Sequence, residues 1–169
     1  MPKFATLGRA GLVALAGLLA APLAAAGADT PKRGGTLTFA VTAEAPTTDC
    51  HATTTYAAIH VLAPHYSLLL RIDPEQFPKL KPDLAESWTL SPDGLTYTFK
   101  LRSGVRFHDG SAFSSRDVKA TFDRLRAPQE GIISIRQALF SGIASIDTPD
   151  AGTVVMKLKE PDSSFLDTV

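Results

Sequence analysis

Residues 88–101 constrain the fold more than any other part of this 169-residue chain. Leu95, Tyr97, Phe99 and Leu101 alternate with Thr96, Thr98 and Lys100. An extended backbone therefore sets four apolar side chains on one face and polar ones on the other. Upstream, Trp88, Thr89 and Leu90 lead into Ser91-Pro92-Asp93-Gly94. Proline presets φ and glycine accepts a positive one, so these four residues predict a reversal of the chain. The predicted unit is a β-hairpin with one buried face.

Other segments carry weaker patterns. Residues 36–42 alternate Leu37, Phe39 and Val41 against Thr36, Thr38 and Ala40, and predict a strand. Residues 44–55 are rich in Pro and Thr and predict a loop. Residues 56–70 are apolar at helical spacing, but Pro64 predicts an interrupted helix. Asp73-Pro74 and Lys81-Pro82-Asp83 predict turns, and residues 105–108 a short strand closed by Asp109-Gly110. Ser114 with Asp117 three residues on predicts a capping box. Val118, Phe122 and Leu125 then form one apolar helix face, and Pro128 ends the helix. A short helix is predicted over 134–140 and strands over 143–146 and 153–159. A further helix is predicted to begin at Pro161-Asp162-Ser163-Ser164.

The N-terminus reads as a segment for export. Lys3 and Arg9 precede the apolar run GLVALAGLLAA, and small residues offer cleavage after Ala26 or Ala28. The competing reading is a membrane anchor, but the run falls short of the about 20 residues a spanning helix needs, and Pro22 interrupts it. A cleaved signal over residues 1–28 and a soluble mature chain are expected. No cysteine near the cleavage sites suggests a lipid anchor. Formal charge is zero over the whole sequence; without Lys3 and Arg9 it is near −2. That balance predicts neither nucleic acid nor an anionic membrane as partner. Cys50, the single cysteine, has no partner for a disulfide within the chain.

From Gly34 to about Leu166 the chain resembles the N-terminal part of the bacterial extracellular solute-binding proteins of the oligopeptide, dipeptide and nickel class. The resemblance rests on Leu84-Ala85-Glu86-Ser87-Trp88, on Ser91-Pro92-Asp93-Gly94-Leu95-Thr96-Tyr97-Thr98-Phe99, on Gly104-Val105-Arg106-Phe107-His108-Asp109-Gly110, and on Ser115-Arg116-Asp117-Val118. Gly34-Gly35-Thr36-Leu37 matches the family's mature start, and Pro161, Ser164, Phe165 and Leu166 resemble the return to its first lobe.

The resemblance implies a mixed α/β fold of the two-lobed, periplasmic-binding-protein type II kind, with the N-terminal portion present here. Residues 29–71 would be the first segment of lobe I and 72–169 a smaller accessory domain. It implies a periplasmic receptor, a monomer without cofactor, that closes on a peptide-like solute and hands it to the permease subunits of an ABC importer. The chain's end one turn into a predicted helix suggests a truncated sequence. One side of a clamp is expected to bind solute weakly or not at all. Most of the recognisable motif, including Trp88, Tyr97 and Phe99, specifies fold and not a ligand site.

Position in the family suggests Thr53, Thr54, Thr55 and Tyr56 as ligand-binding residues, threonine hydroxyls as donors and acceptors and tyrosine as a flat wall with a polar tip. The alternative is an exposed Thr-rich loop. Where the family often has Leu-Asp-Pro, this chain has Thr48-Asp49-Cys50. Arg136 offers a bidentate fork to a solute carboxylate, or a surface or interdomain ion pair. His51, His60, His65 and His108 lack metal-ligand spacing, and no metal site is expected. No nucleophile elbow, His-Glu-x-x-His or phosphate loop is present, and Cys50-His51 adjacency alone does not make a catalytic pair, so an enzyme is not expected. An exported non-binding fragment or a sensor or interaction module is the other reading.

Overall fold

The computed structural model describes residues 33–169, and the signal predicted over 1–28 lies outside them. The chain divides into two units between Phe39 and Ala40. Its elements in order are α1 (Tyr56–Leu62), β1 (Leu70–Ile72), β2 (Leu80–Pro82), β3 (Ala85–Leu90), β4 (Thr96–Leu101), α2 (Ser115–Arg126), α3 (Gln137–Phe140), β5 (Ile143–Asp150) and β6 (Thr153–Leu158). Short 3-10 turns cover Ala63–His65 and Phe165–Asp167.

The second unit is organised by a four-stranded antiparallel sheet in the order β3-β4-β6-β5. The predicted hairpin is β3-β4, with Trp88 opposite Phe99 and Leu90 opposite Tyr97. On the other side of β4, Tyr97 faces Met156 and Phe99 faces Val154. Opposed residues of an antiparallel pair point to the same face. That face therefore gathers Tyr97, Phe99, Leu101, Ile146, Val154, Met156 and Leu158, all buried. Helix α2 packs on β5 and β6 and buries Val118, Phe122 and Leu125 there. Each such side chain contributes about 1.5–3 kcal/mol by leaving water.

Local chemistry explains the ends of these elements. Ser91 Oγ donates to Asp93 Oδ1 at 2.5 Å, Asp93 Oδ1 accepts the Leu95 N–H at 3.0 Å, and Gly94 takes φ +73°. The capping box forms: Asp117 Oδ2 accepts the Ser114 N–H at 2.7 Å and its hydroxyl at 2.9 Å. Ser115 Oγ donates to the Asp150 carbonyl at 2.5 Å and so ties the helix start to the β5–β6 turn. Helix α1 gives way at Pro64 to a 3-10 turn, the predicted interruption.

Several expectations need correction. Residues 36–42 form no strand. Alternation supplies a face, but a strand also needs a neighbour to complete its hydrogen-bond ladder, and none among the described residues pairs with it. Residues 105–108 reach one isolated bridge, Arg106 to Ala112, because the chain folds straight back over Asp109-Gly110. The helix predicted over 134–140 shrinks to Gln137–Phe140, with Arg136 as its N-cap at a non-helical φ of −97° and ψ of 4°. The helix predicted after Pro161 amounts to one 3-10 turn, Phe165–Asp167. The segment expected to be helical up to residue 70 ends instead in β1, which pairs with β2. Lys81 and Pro82 are ladder residues, and the bend falls at Asp83. Asp73 does make its turn: its Oδ1 accepts the Glu75 N–H at 3.0 Å, and Lys81 Nζ lies 2.8 Å from its buried Oδ2.

Candidate functional site

The loop that precedes α1 is held by its own short polar side chains and by two arginines from distant sequence. Thr47 Oγ1 accepts the Asp49 N–H and Asp49 Oδ1 accepts the His51 N–H, each at 3.0 Å. Such local bonds shape a turn without a ladder.

Arg124, in the last turn of α2, then reaches across. Its Nη2 lies 2.5 Å from Asp49 Oδ2, and its Nη1 donates to Asp49 Oδ1 at 3.0 Å. The same Nη1 lies 2.7 Å from His51 Nδ1. A guanidinium has no acceptor, so His51 Nδ1 accepts and the imidazole proton sits on Nε2. The Arg124 hydrogen bonds hold the Asp49 carboxyl at about 2, well below its ordinary value, and the Asp49 carboxylate in turn raises Arg124. Burial pushes His51 down, helped by the Arg124 and Arg136 charges and opposed by Asp49. Neutral His51 is thus the form this pocket favours.

Arg136 secures the next stretch. Its Nη1 donates to the carbonyls of Cys50 and Thr53, the latter at 3.3 Å. It forms no ion pair among the described residues. Thr53 is 7% exposed, and its Oγ1 meets Thr55 Oγ1 and the Thr55 N–H, both at 3.3 Å. Thr54 and Thr55 are exposed, and Tyr56 opens α1 at 76% exposure with its ring 5.2 Å from that of His60.

The structure therefore brings Arg136 to Thr53 through backbone carbonyls, while Thr54, Thr55 and Tyr56 stand toward solvent beside it. Sequence reasoning missed Arg124. It lies beside the apolar stripe of α2, and spacing alone gives no hint that it pairs with Asp49. Sequence gives His51 only a place among four histidines and beside Cys50; its acceptor role appears only in the fold. Cys50 is a half-buried free thiol. His65 and His108 approach edge to face at 6.4 Å between rings. Among the described residues no group of three His, Cys, Asp or Glu side chains is placed to hold a metal ion. None of their helices is long and apolar enough to cross a membrane. Two shallow cavities of about 280 and 300 Å³ lie at Ser114–Asp150 and beneath Leu139 and Phe165, away from the loop.

The sheet and helices are part of the two-lobed, periplasmic-binding-protein type II fold, of which this chain covers a portion. The ABC transporter-associated periplasmic binding protein DppA from Helicobacter pylori, solved in complex with the peptide STSA, matches over 73% of this chain and 27% of its own, at 27% identity and a TM-score of 0.64. The family model of the bacterial extracellular solute-binding proteins, family 5 Middle, matches residues 79–169, and the chain belongs to that family. A protein of Brucella ovis named as an ABC transporter peptide-binding protein is 53% identical over 87 residues, which are 52% of this chain and 16% of that protein. Glutathione-binding protein GsiB of Escherichia coli O1:K1 is 45% identical over 101 residues, 60% of this chain and 19% of GsiB. The matched residues thus make up less than a fifth of the length of these curated relatives.

Proposed function

We propose that this chain belongs to a receptor for a peptide-like solute that serves an ABC importer in the periplasm. The observation that carries the reading is the family match over residues 79–169. It is supported by the names of two relatives, one peptide-binding and one glutathione-binding. In this reading residues 29–71 begin lobe I, residues 72–169 form the accessory domain, and the permease subunits take delivery of the solute.

The loop offers suitable chemistry for one wall of a site. Thr54 and Thr55 present hydroxyls that donate or accept, and Tyr56 presents a flat exposed ring. A peptide has the same mixture of amide donors, carbonyl acceptors and apolar faces. Thr53 and Arg136 act behind this wall, Thr53 by its bond to Thr55 and Arg136 by holding two loop carbonyls. Closure of a second lobe over the solute would favour the bound form, because the solute then touches both lobes.

The test is calorimetric titration of the protein encoded by the complete reading frame with di- to nonapeptides, glutathione and free amino acids. Micromolar or tighter binding of a peptide supports the reading. Binding confined to a solute without a peptide bond overturns the peptide class, and failure of every solute to bind overturns the receptor reading.

A further inference from the structure

We propose that His51 and Arg124 are positioning residues for the loop at residues 49–55, and that the loop keeps its solute-competent shape while His51 is neutral. The proposal rests on the reading of this loop as part of the solute site and adds a pH-sensitive control to it. Three elements meet at the His51 ring. Its own loop supplies Asp49, α2 supplies Arg124, and the segment before α3 supplies the Arg136 charge. Among these groups, His51 Nδ1 is an acceptor for a guanidinium that already serves both Asp49 oxygens.

A proton on Nδ1 turns that acceptor into a donor facing a donor, with a cation placed against a cation. The 2.7 Å contact cannot survive in that state. Asp49 alone would then hold Arg124, and the His51 carbonyl would strain its bond to the Ile135 N–H. The local sign follows. His51 is held below its ordinary value in the closed loop and returns to about 6.5 when the loop opens. The open form binds more protons in that window, so closure is fully favoured above about pH 6.5 and weakens as pH falls below it.

Hydrogen exchange of the intact chain, corrected for intrinsic rates and followed from neutral to mildly acidic pH, tests the device. The hydrogen-bonded wild-type amides of His51, Ala52 and Thr55 should lose protection below about pH 6.5, by up to about tenfold per pH unit, the slope of one proton. His51→Asn keeps an acceptor near the Nδ1 position and does not titrate, so its loop should stay protected throughout. Arg124→Met removes every donor to Asp49 and His51, so its loop should be unprotected at every pH. Amides of β4 must stay protected in each variant, which separates loop opening from unfolding. A flat wild-type profile, or a His51→Asn profile that titrates like wild type, overturns the proposal. If loop protection follows pH while peptide affinity does not, the placement of the solute site fails and the positioning role stands.

Discussion

Asp49 Oδ2 and Arg124 Nη2 lie 2.5 Å apart although 75 residues separate them in sequence. This contact joins the loop before α1 to the last turn of α2 with two nearly parallel hydrogen bonds, the strongest geometry a carboxylate and a guanidinium can adopt. The Asp49 carboxyl is depressed to about 2 chiefly by those bonds. A depressed carboxyl contributes stability above its unfolded value near 3.8 and loses it as pH falls toward 2. About a third of each side chain is exposed, so solvent screening limits the contribution to about 1 kcal/mol. Asp49→Asn should therefore lower stability by about that amount at neutral pH and by much less near pH 2, where the folded carboxyl is about half protonated. Urea unfolding at the two pH values checks this; an equal loss at both would show that charge is not the cause.

Phe140 carries α3 on the sheet domain through its ring, which meets Phe122 edge to face at 5.3 Å and 82°. Both rings are buried. Truncation of a buried phenylalanine costs about 3–5 kcal/mol. Phe140→Ala should fall in this range and Phe140→Leu well below it, as judged by urea midpoints at constant slope. Because Arg136 stands immediately before α3, the alanine variant should also raise exchange at the His51 and Ala52 amides.

The hairpin and the α2 face were legible because their information is local. Period-two alternation, a Pro-Asp-Gly turn and an i, i+4, i+7 stripe each specify their own geometry, and β4 and α2 follow them. Residues 36–42 carry the same alternation as β4 and form no strand. Pattern specifies a face and leaves the partner open. The β1–β2 pair was missed for the opposite reason: three-residue strands hold too few side chains to show a period, and Leu70–Ile72 continues an apolar run that reads as helix. At the site, Thr53 is suggested by family position and Arg136 by its guanidinium fork, and the two do meet. What they do there was hidden, because carbonyls that accept from an arginine leave no trace in residue identity. Arg124 was invisible for the same reason, its partner lying in another part of the chain.

Gly94 supports a sharper test of the turn. It holds φ +73°, and a Cβ added there would stand 3.4 Å from Pro161 Cβ. The space is tolerable, so the penalty comes from the backbone conformation. Gly94→Ala should cost about 1–2 kcal/mol. Asn tolerates a left-handed backbone better than Ala, so Gly94→Asn should cost less. Thermal unfolding of the two variants side by side checks the order; equal losses would mean that contact with Pro161 and not φ decides.

Arg136 separates charge from hydrogen bonding. Its Nη1 is directed at two neutral carbonyls, of Cys50 and Thr53, and not at a carboxylate. Bonds from a charged donor to neutral acceptors over a short range are little affected by dissolved ions, whereas a part-exposed ion pair such as Asp49–Arg124 is screened. Arg136→Met should thus lose about 1.5–3 kcal/mol, the range for hydrogen bonds involving a charged group, and the loss should be the same at low and high salt. The Asp49→Asn loss should shrink as salt rises. Arg136→Lys retains the charge and an N–H donor group able to reach a carbonyl, on a shorter, strongly hydrated head, so it should recover part of the loss. Urea unfolding of the three variants across a salt series decides the matter. A salt-sensitive Arg136→Met loss would mean that Arg136 acts through its charge, and its hold on the two carbonyls would then not be what orders the loop.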